Sequence, residues 1–316
     1  MSHDPLFPAA RPRLARRMAV GDGHVLHVEE CGPADGLPVL FLHGGPGSGC
    51  SLGQRRLFDP GRYRAIFVDQ RGAGRSQPLG GLAANTTADL VADLDDIREA
   101  LGIPAWLVFG GSWGSLLGLA YAQLFPERVL GLVLRGIFLG SRDEIDAYVR
   151  GDNAGPGGAH AAFAAAVPAA ERGDLLGAYA RRILGDDPRV AGETAAAWLN
   201  YERALIGDAP LAGPPDERQL AKARIQMHYL ARDCFVAPGQ LLAGAERLRH
   251  LPGAIVQGMA DPVCPPQVAR RLHHAWPEAT WVPVAGAGHA ALEPAMARAC
   301  IRALDWVAEA AGVRVG

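Results

Sequence analysis

Short stretches that are apolar at every position mark the chain at intervals: Val39-Leu40-Phe41-Leu42, Ala65-Ile66-Phe67-Val68 and Trp106-Leu107-Val108-Phe109. A strand with one wet face would alternate apolar and polar residues. Unbroken runs suit strands buried on both faces, as in a parallel sheet. Ahead of them, residues 18–30 read as two short strands around the turn Gly21-Asp22-Gly23. Between the runs the period changes. Asn85-Thr86-Thr87 offers helix N-caps, Leu90, Val91, Leu94, Ile97 and Leu101 recur at helical spacing, and Gly102 stops the helix. A second helix is expected from Trp113 towards Phe125, with Pro126 just beyond it. The pattern breaks near residue 138, and the chain to about 240 is rich in Ala, Arg and Gly and reads as mostly helical. The strand–helix rhythm resumes at Ala254-Ile255-Val256-Gln257-Gly258, with a helix ending near Trp276. Trp281-Val282-Pro283-Val284 is the last strand candidate, and 293–310 the last helix. Strand–helix alternation predicts an α/β fold with a mostly parallel central sheet and helices on both faces. Residues 1–137 and 241–316 form its core, and 138–240 a helical insertion. An insertion at a strand end lies where open α/β sheets bind ligands, so it reads as a cap over a site.

This reading explains why 316 residues need not make two independent domains. Hydrophobic content of 49% and charged content of 20% match an ordinary globular protein. A formal net charge of −2 supplies no field to recruit nucleic acid or anionic lipid. The arginines within Arg11–Arg17, interrupted by Pro12, read as a solvated tail. The five cysteines, Cys31, Cys50, Cys234, Cys264 and Cys300, are odd in number and show no C-x-x-C spacing. That argues against a disulfide framework or zinc knuckle and for a reducing compartment. The N-terminal residues lack the apolar core of a signal peptide, no apolar stretch follows Arg16-Arg17, and no run of 18 apolar residues occurs. A cytoplasmic protein without membrane or nucleic-acid partners is expected; a homo-oligomer is compatible with the sequence.

Gly110-Gly111-Ser112-Trp113-Gly114 fits the G-x-S-x-G nucleophile elbow. The strand-to-helix turn is so tight that flanking side chains would clash, and it presents the serine oxygen at a helix N-terminus, where the dipole favours negative charge. The match follows an apolar run and opens a predicted helix, which is the setting the motif requires. A serine nucleophile needs a base and an oxyanion hole. His43-Gly44-Gly45-Pro46-Gly47 follows an earlier strand, where this architecture supplies the second donor, so the backbone N–H groups of Gly45 and Trp113 are the expected oxyanion donors. His43 reads as a structural residue of that turn in preference to the base. His289, beyond the last strand, and Asp261, after the preceding one, complete the order Ser, Asp, His. His273 and His274 fall inside a predicted helix and read as surface or packing residues. The ten histidines show no H-E-x-x-H or comparable spacing, so no metal and no cofactor are expected.

The chain resembles the proline iminopeptidases, a serine peptidase family of the α/β-hydrolase fold. The stretches that carry the resemblance are HGGPGSG at 43–49, DQRGAGRS at 69–76, NTTADLVADLDDIREALGI at 85–103, WLVFGGSWGS at 106–115, LAYAQLFPERVLGLVLRGIFL at 119–139, DPVCPP at 261–266 and AGAGHA at 285–290. It implies release of an N-terminal residue, preferentially proline, from a small peptide or aminoacyl substrate, without a metal. An aminopeptidase must neutralise the substrate's ammonium in a partly dry pocket, which needs a carboxylate. The resemblance places one at Glu202, in Trp198-Leu199-Asn200-Tyr201-Glu202. It implies a second where this chain has Gln226, which keeps one acceptor oxygen for the substrate amine. Leu230 stands where an aromatic is usual, the segment between Tyr148 and Phe163 is poorer in aromatics than the family pattern, and Phe138 and Cys264 match the family's proline pocket.

The competing readings are an amidase, esterase or lactonase on the same scaffold, and a binding module on an inactive one. An epoxide hydrolase or dehalogenase would need a carboxylate at the elbow, where this chain has Ser112. An inactive relative would be expected to lack a member of the Ser112–Asp261–His289 set, and all three are present. Treatment with EDTA is expected to leave hydrolysis unchanged; inhibition that added metal reverses would overturn the metal-free reading.

Overall fold

The unbroken apolar runs become the middle strands of one sheet. The computed structural model describes residues 4–154 and 158–312. The strands are β1 (Leu14–Gly21), β2 (His24–Cys31), β3 (Leu37–Leu42), β4 (Tyr63–Asp69), β5 (Trp106–Ser112), β6 (Val129–Ile137), β7 (Gly253–Gly258) and β8 (Thr280–Val284). They form an eight-stranded sheet in the order β1-β2-β4-β3-β5-β6-β7-β8. β2 runs antiparallel to both neighbours, and every other pair from β4 to β8 is parallel. Alternate residues of one run serve different cores. Leu40, Leu42, Ile66, Val68, Trp106 and Val108 pack on one face. Val39, Phe41, Ala65, Phe67, Leu107 and Phe109 pack on the other. This double burial is why polar residues never interrupt the runs.

Helices α1 (Thr87–Ala100) and α2 (Trp113–Leu124) cover the first face. α1 starts at the predicted cap: Thr86 accepts from Asp89 N–H, and the Asp89 side chain accepts from Thr86 N–H. After β6 come α3 (Arg142–Arg150), α4 (Ala159–Ala165), α5 (Leu175–Ile183), α6 (Pro188–Leu205), α7 (Glu217–Leu230) and α8 (Gln240–Ala243). α9 (Pro266–Ala275) joins α1 and α2 on the first face, and α10 (Pro294–Ala310) covers the second. Of the segment between Tyr148 and Phe163, residues 155–157 lie outside the described residues. The two aromatics that bound it join a cluster: Phe163 stacks on Tyr179 at 4.4 Å and on Tyr201 at 4.5 Å, and Tyr148 lies 5.8 Å from Trp198.

Two features depart from the pattern reading. β6 is a strand it leaves out, although Val129-Leu130-Gly131-Leu132-Val133-Leu134 has the same unbroken character. The Arg11–Arg17 segment is not simply a solvated tail, because β1 begins at Leu14. Arg13 and Arg16 pair with buried Glu30 at 2.8 and 3.2 Å, with Arg64 at 2.7 Å as a third partner. A buried carboxylate requires such counter-charges.

The DQRGAGRS loop after β4 is held by buried ion pairs. Arg71 forms two hydrogen bonds of 2.7 Å to Asp93 of α1, and also reaches Asp22 and the Val20 and Ala84 carbonyls. Its own carbonyl accepts from Asn85. Asn85 in turn accepts from Tyr229 of α7 at 2.7 Å through its side chain, and from His228 at 2.8 Å through its carbonyl. α7 is thereby tied to the sheet's loops. Asp93→Ala should leave Arg71 buried beside an empty position and lower stability by about 3 kcal/mol. Urea unfolding checks this, and a loss below about 1 kcal/mol would show that Asp22 and the carbonyls suffice.

Candidate active site

Ser112 ends β5 with φ 56° and ψ −126°, and α2 begins at the next residue. The glycines of the motif are required by contact. A Cβ on Gly110 would lie 2.1 Å from the Gly114 carbonyl oxygen, and one on Gly114 would lie 2.2 Å from that of Leu42. Ser115 Oγ donates to the Ser112 carbonyl at 2.7 Å and accepts from Phe138 N–H at 3.0 Å, bracing the turn against the end of β6. N–H groups in the first turn of a helix have no carbonyl partner within it, and Trp113 occupies that place on α2.

Asp261 follows β7 and His289 follows β8. Asp261 Oδ2 lies 2.7 Å from His289 Nδ1, and Oδ1 accepts from the N–H groups of Val263 and Cys264, each at 2.9 Å. Burial alone would raise the Asp261 pKa; the His289 imidazole and the Cys264 N–H outweigh it and hold the carboxyl below its ordinary value. The group is therefore an anion at neutral pH, aimed at the imidazole. Gly136 leaves room beneath the pair: a Cβ there would stand 3.3 Å from both Asp261 Oδ2 and His289 Cε1. Arg135 donates to the His289 carbonyl at 2.5 Å, and Gln257 donates to the Cys264 carbonyl at 2.9 Å. These supports escape the motif reading. Their signal was a lone Arg and a lone Gln inside otherwise apolar strands, LVLRG and IVQG. Ser112 and His289 line one cavity of about 1010 Å³. No hydrogen bond joins their side chains, and Ser112 Oγ has Cys264 Sγ at 4.0 Å. Burial first, and the Asp261 charge second, push the Cys264 thiol well up, so it stays protonated.

His43 is fully buried. Its Nε2 accepts from Gln70 N–H at 3.1 Å, so Nδ1 carries the proton and donates to the Gly44 carbonyl at 2.9 Å. Desolvation lowers its pKa, which keeps it neutral. Gln70 also accepts from the Trp113 indole at 2.9 Å and donates to the His43 carbonyl at 3.2 Å. The loop bearing Gly45 and the residue after Ser112 are thus fixed to one another. Among the described residues Gly45 N–H donates to nothing. His273 stacks on Trp281 at 5.6 Å, on α9 and away from the cavity lining.

The insertion supplies the far wall. Phe138, Leu230 and Cys264 line the cavity, as do Glu202 of α6 and Gln226 of α7. The Gln226 acceptor oxygen is turned towards Trp198 and away from Glu202. The Trp198 indole N–H can only donate, so the atom facing it at 2.9 Å is Gln226 Oε1. The amide nitrogen is thereby turned towards Glu202, donating to Oε1 at 2.6 Å. Lys222, one helical turn before Gln226, takes the other Glu202 oxygen at 2.9 Å. The sequence reading missed Lys222, although it precedes Gln226 at i, i+4 spacing, which puts both on one face.

Among the described residues no group of three or more His, Cys, Asp or Glu is placed to hold a metal ion. No helix among them is long and apolar enough to cross a membrane. The five cysteines are free.

Comparison with known proteins agrees with this geometry. Residues 38–295 match the alpha/beta hydrolase fold family. A proline iminopeptidase of Xylella fastidiosa is 45% identical over 307 residues, covering 95% of this chain and 98% of that protein. One of Arabidopsis thaliana is 44% identical over 92% of this chain and 78% of that protein. Among solved structures, a proline iminopeptidase-related protein of Thermus thermophilus superposes with a TM-score of 0.61 at 22% identity, over 95% of this chain and 99% of that one. An esterase of a Rhodococcus species gives 0.60 at 22%, over 93% and 98%; at such identity these two speak for the fold alone. Sheet order, elbow and relatives converge: the chain belongs to the α/β hydrolases and, within them, to the proline iminopeptidase family.

Proposed function

We propose that the chain is a serine aminopeptidase that releases an N-terminal residue, preferentially proline, from small peptides through an acyl-enzyme. The observation that carries the reading is one cavity lined by Ser112, by His289 with Asp261 bonded behind it, and by the Glu202 carboxylate. The near-full-length relatives named proline iminopeptidase support it. In this reading His289 Nε2 takes the Ser112 proton as Oγ attacks the scissile carbonyl. The N–H groups of Gly45 and Trp113 stabilise the oxyanion. His289 returns the proton to the leaving amine, and water repeats the sequence on the ester. Asp261 fixes the Nδ1–H tautomer and stabilises the imidazolium.

The residue at the N-terminus of a peptide has its amine one carbon from the scissile carbonyl. The amine subsite must therefore lie close to the oxyanion hole. Gln226 Nε2 is 3.5 Å from the Gly45 carbonyl and 2.6 Å from Glu202, which sets Glu202 at short reach beyond Gly45. Glu202 is the amine-binding carboxylate in this reading. Glu144, which also lines the cavity, accepts instead from Leu139 N–H and Ser141 Oγ at 2.9 and 2.7 Å. Phe138, Leu230 and Cys264 offer an apolar wall for the proline ring. Residues 138–240 act as a cap that closes the acyl side, and five free cysteines suit a cytoplasmic enzyme. An amidase, esterase or lactonase with little need for a free amine is the alternative, and a panel of aminoacyl anilides with free and blocked amines separates the two.

Ser112→Ala should remove turnover, a loss on the order of 10⁶ in kcat, and abolish labelling by a fluorophosphonate probe while the urea midpoint stays near wild type. Persistence of more than a trace of either signal in the purified variant would exclude Ser112 as nucleophile. Glu202→Gln would leave Lys222 unopposed. The ratio of kcat/KM for proline anilide to that for an ester without an amine should fall by about tenfold or more. If that ratio holds constant, Glu202 is not the ammonium site.

A further inference from the structure

Lys222 is the chain's only lysine; every other residue in the Lys+Arg total of 31 is arginine. It stands on α7, four residues before Gln226, and its ammonium lies 2.9 Å from Glu202 Oε2. Both partners are partly covered, with side chains 27% and 21% exposed. Gln226 occupies the other Glu202 oxygen, and Trp198 fixes the direction of that amide. Each oxygen of the one carboxylate expected to receive a substrate ammonium thus already faces an N–H donor, and one of those donors is a cation.

We propose that Lys222 is a specificity-determining residue, the resident counter-ion of the amine subsite, which makes that subsite electrically neutral before substrate arrives. The proposal rests on the reading of Glu202 as the amine-binding carboxylate. A substrate ammonium must share Glu202 with Lys222 or displace it, so much of the gain from its charge is cancelled by repulsion between two cations around one anion. A substrate with no ammonium loses nothing on this account. Discrimination between a proline residue and its amine-free isostere is therefore lower than the same subsite would give without Lys222. The use of lysine suits displacement. Its ammonium is a compact point charge on a flexible stem, whereas an arginine fork would hold the carboxylate through two fixed bonds.

The test compares L-proline 4-nitroanilide with cyclopentanecarboxylic acid 4-nitroanilide, which differ only in the ring nitrogen. For Lys222→Met, the ratio of their kcat/KM values should rise about tenfold, chiefly through KM of the proline substrate. Lys222→Arg, which keeps the charge and holds Glu202 at least as firmly, should not raise the ratio. A Lys222→Met ratio within about twofold of wild type would overturn the proposal. If the wild type cleaves neither anilide but does cleave 4-nitrophenyl acetate, the aminopeptidase reading fails by itself. Inhibition of that ester hydrolysis by pyrrolidinium then decides the role of Lys222. Inhibition about tenfold tighter in Lys222→Met supports it, and unchanged inhibition overturns it.

Discussion

The backbone of Ser112 sits in a region of φ and ψ that an L-residue adopts at a cost of order 1–3 kcal/mol, and the surrounding structure is arranged so that it has no alternative. Gly110 and Gly114 are in contact with backbone oxygens where any side chain would collide. Ser115 ties the turn to β6, and Gln70 ties Trp113 to the His43 loop. Every distance at the site follows from that turn. It ends β5 at Ser112 and starts α2 at the next residue, and Asp261 and His289 are delivered from the ends of β7 and β8.

The second organising element is α7. One side chain on it, Tyr229, packs against Trp113 with ring centroids 4.7 Å apart and bonds Asn85. Three residues earlier, Gln226 faces the cavity and meets Trp198 and Glu202. The helix therefore links the position of Trp113 to the wall of the cavity. The buried Arg71–Asp93 pair lies behind the same connection, through Asn85. This gives the DQRGAGRS loop, which also holds Trp113 through Gln70, a role in placing the far wall.

The parallel sheet, α1 with its cap at Thr86, α2 and α10 were legible because strands buried on both faces and amphipathic helices leave unambiguous periods. The strand-to-helix turn at Ser112 was legible from its glycines and the placing of Asp261 and His289 from chain order, and the structure sets the last two 2.7 Å apart. β6 escaped notice although its run is as apolar as its neighbours'. The β1 arginines misled because the reason for them, buried Glu30, lies on β2 and the third partner on β4. Supports such as Arg135, Gly136 and Gln257 act through contacts between strands far apart in sequence. The orientation of the Gln226 amide was beyond the sequence for the same reason. It depends on a tryptophan one helix away, and that single donor reverses which end of the amide meets Glu202.

A chain with one lysine carries, apart from its α-amino group, one primary amine, and here that amine lies inside the cavity that holds Ser112. Chemistry aimed at lysines in general, such as acylation by an activated ester or capture on an aldehyde support, therefore has no harmless surface lysine to consume first. Its covalent footprint falls on α7, at the wall of the cavity lined by Ser112, and an ion pair with side chains 27% and 21% exposed sets how fast it gets there.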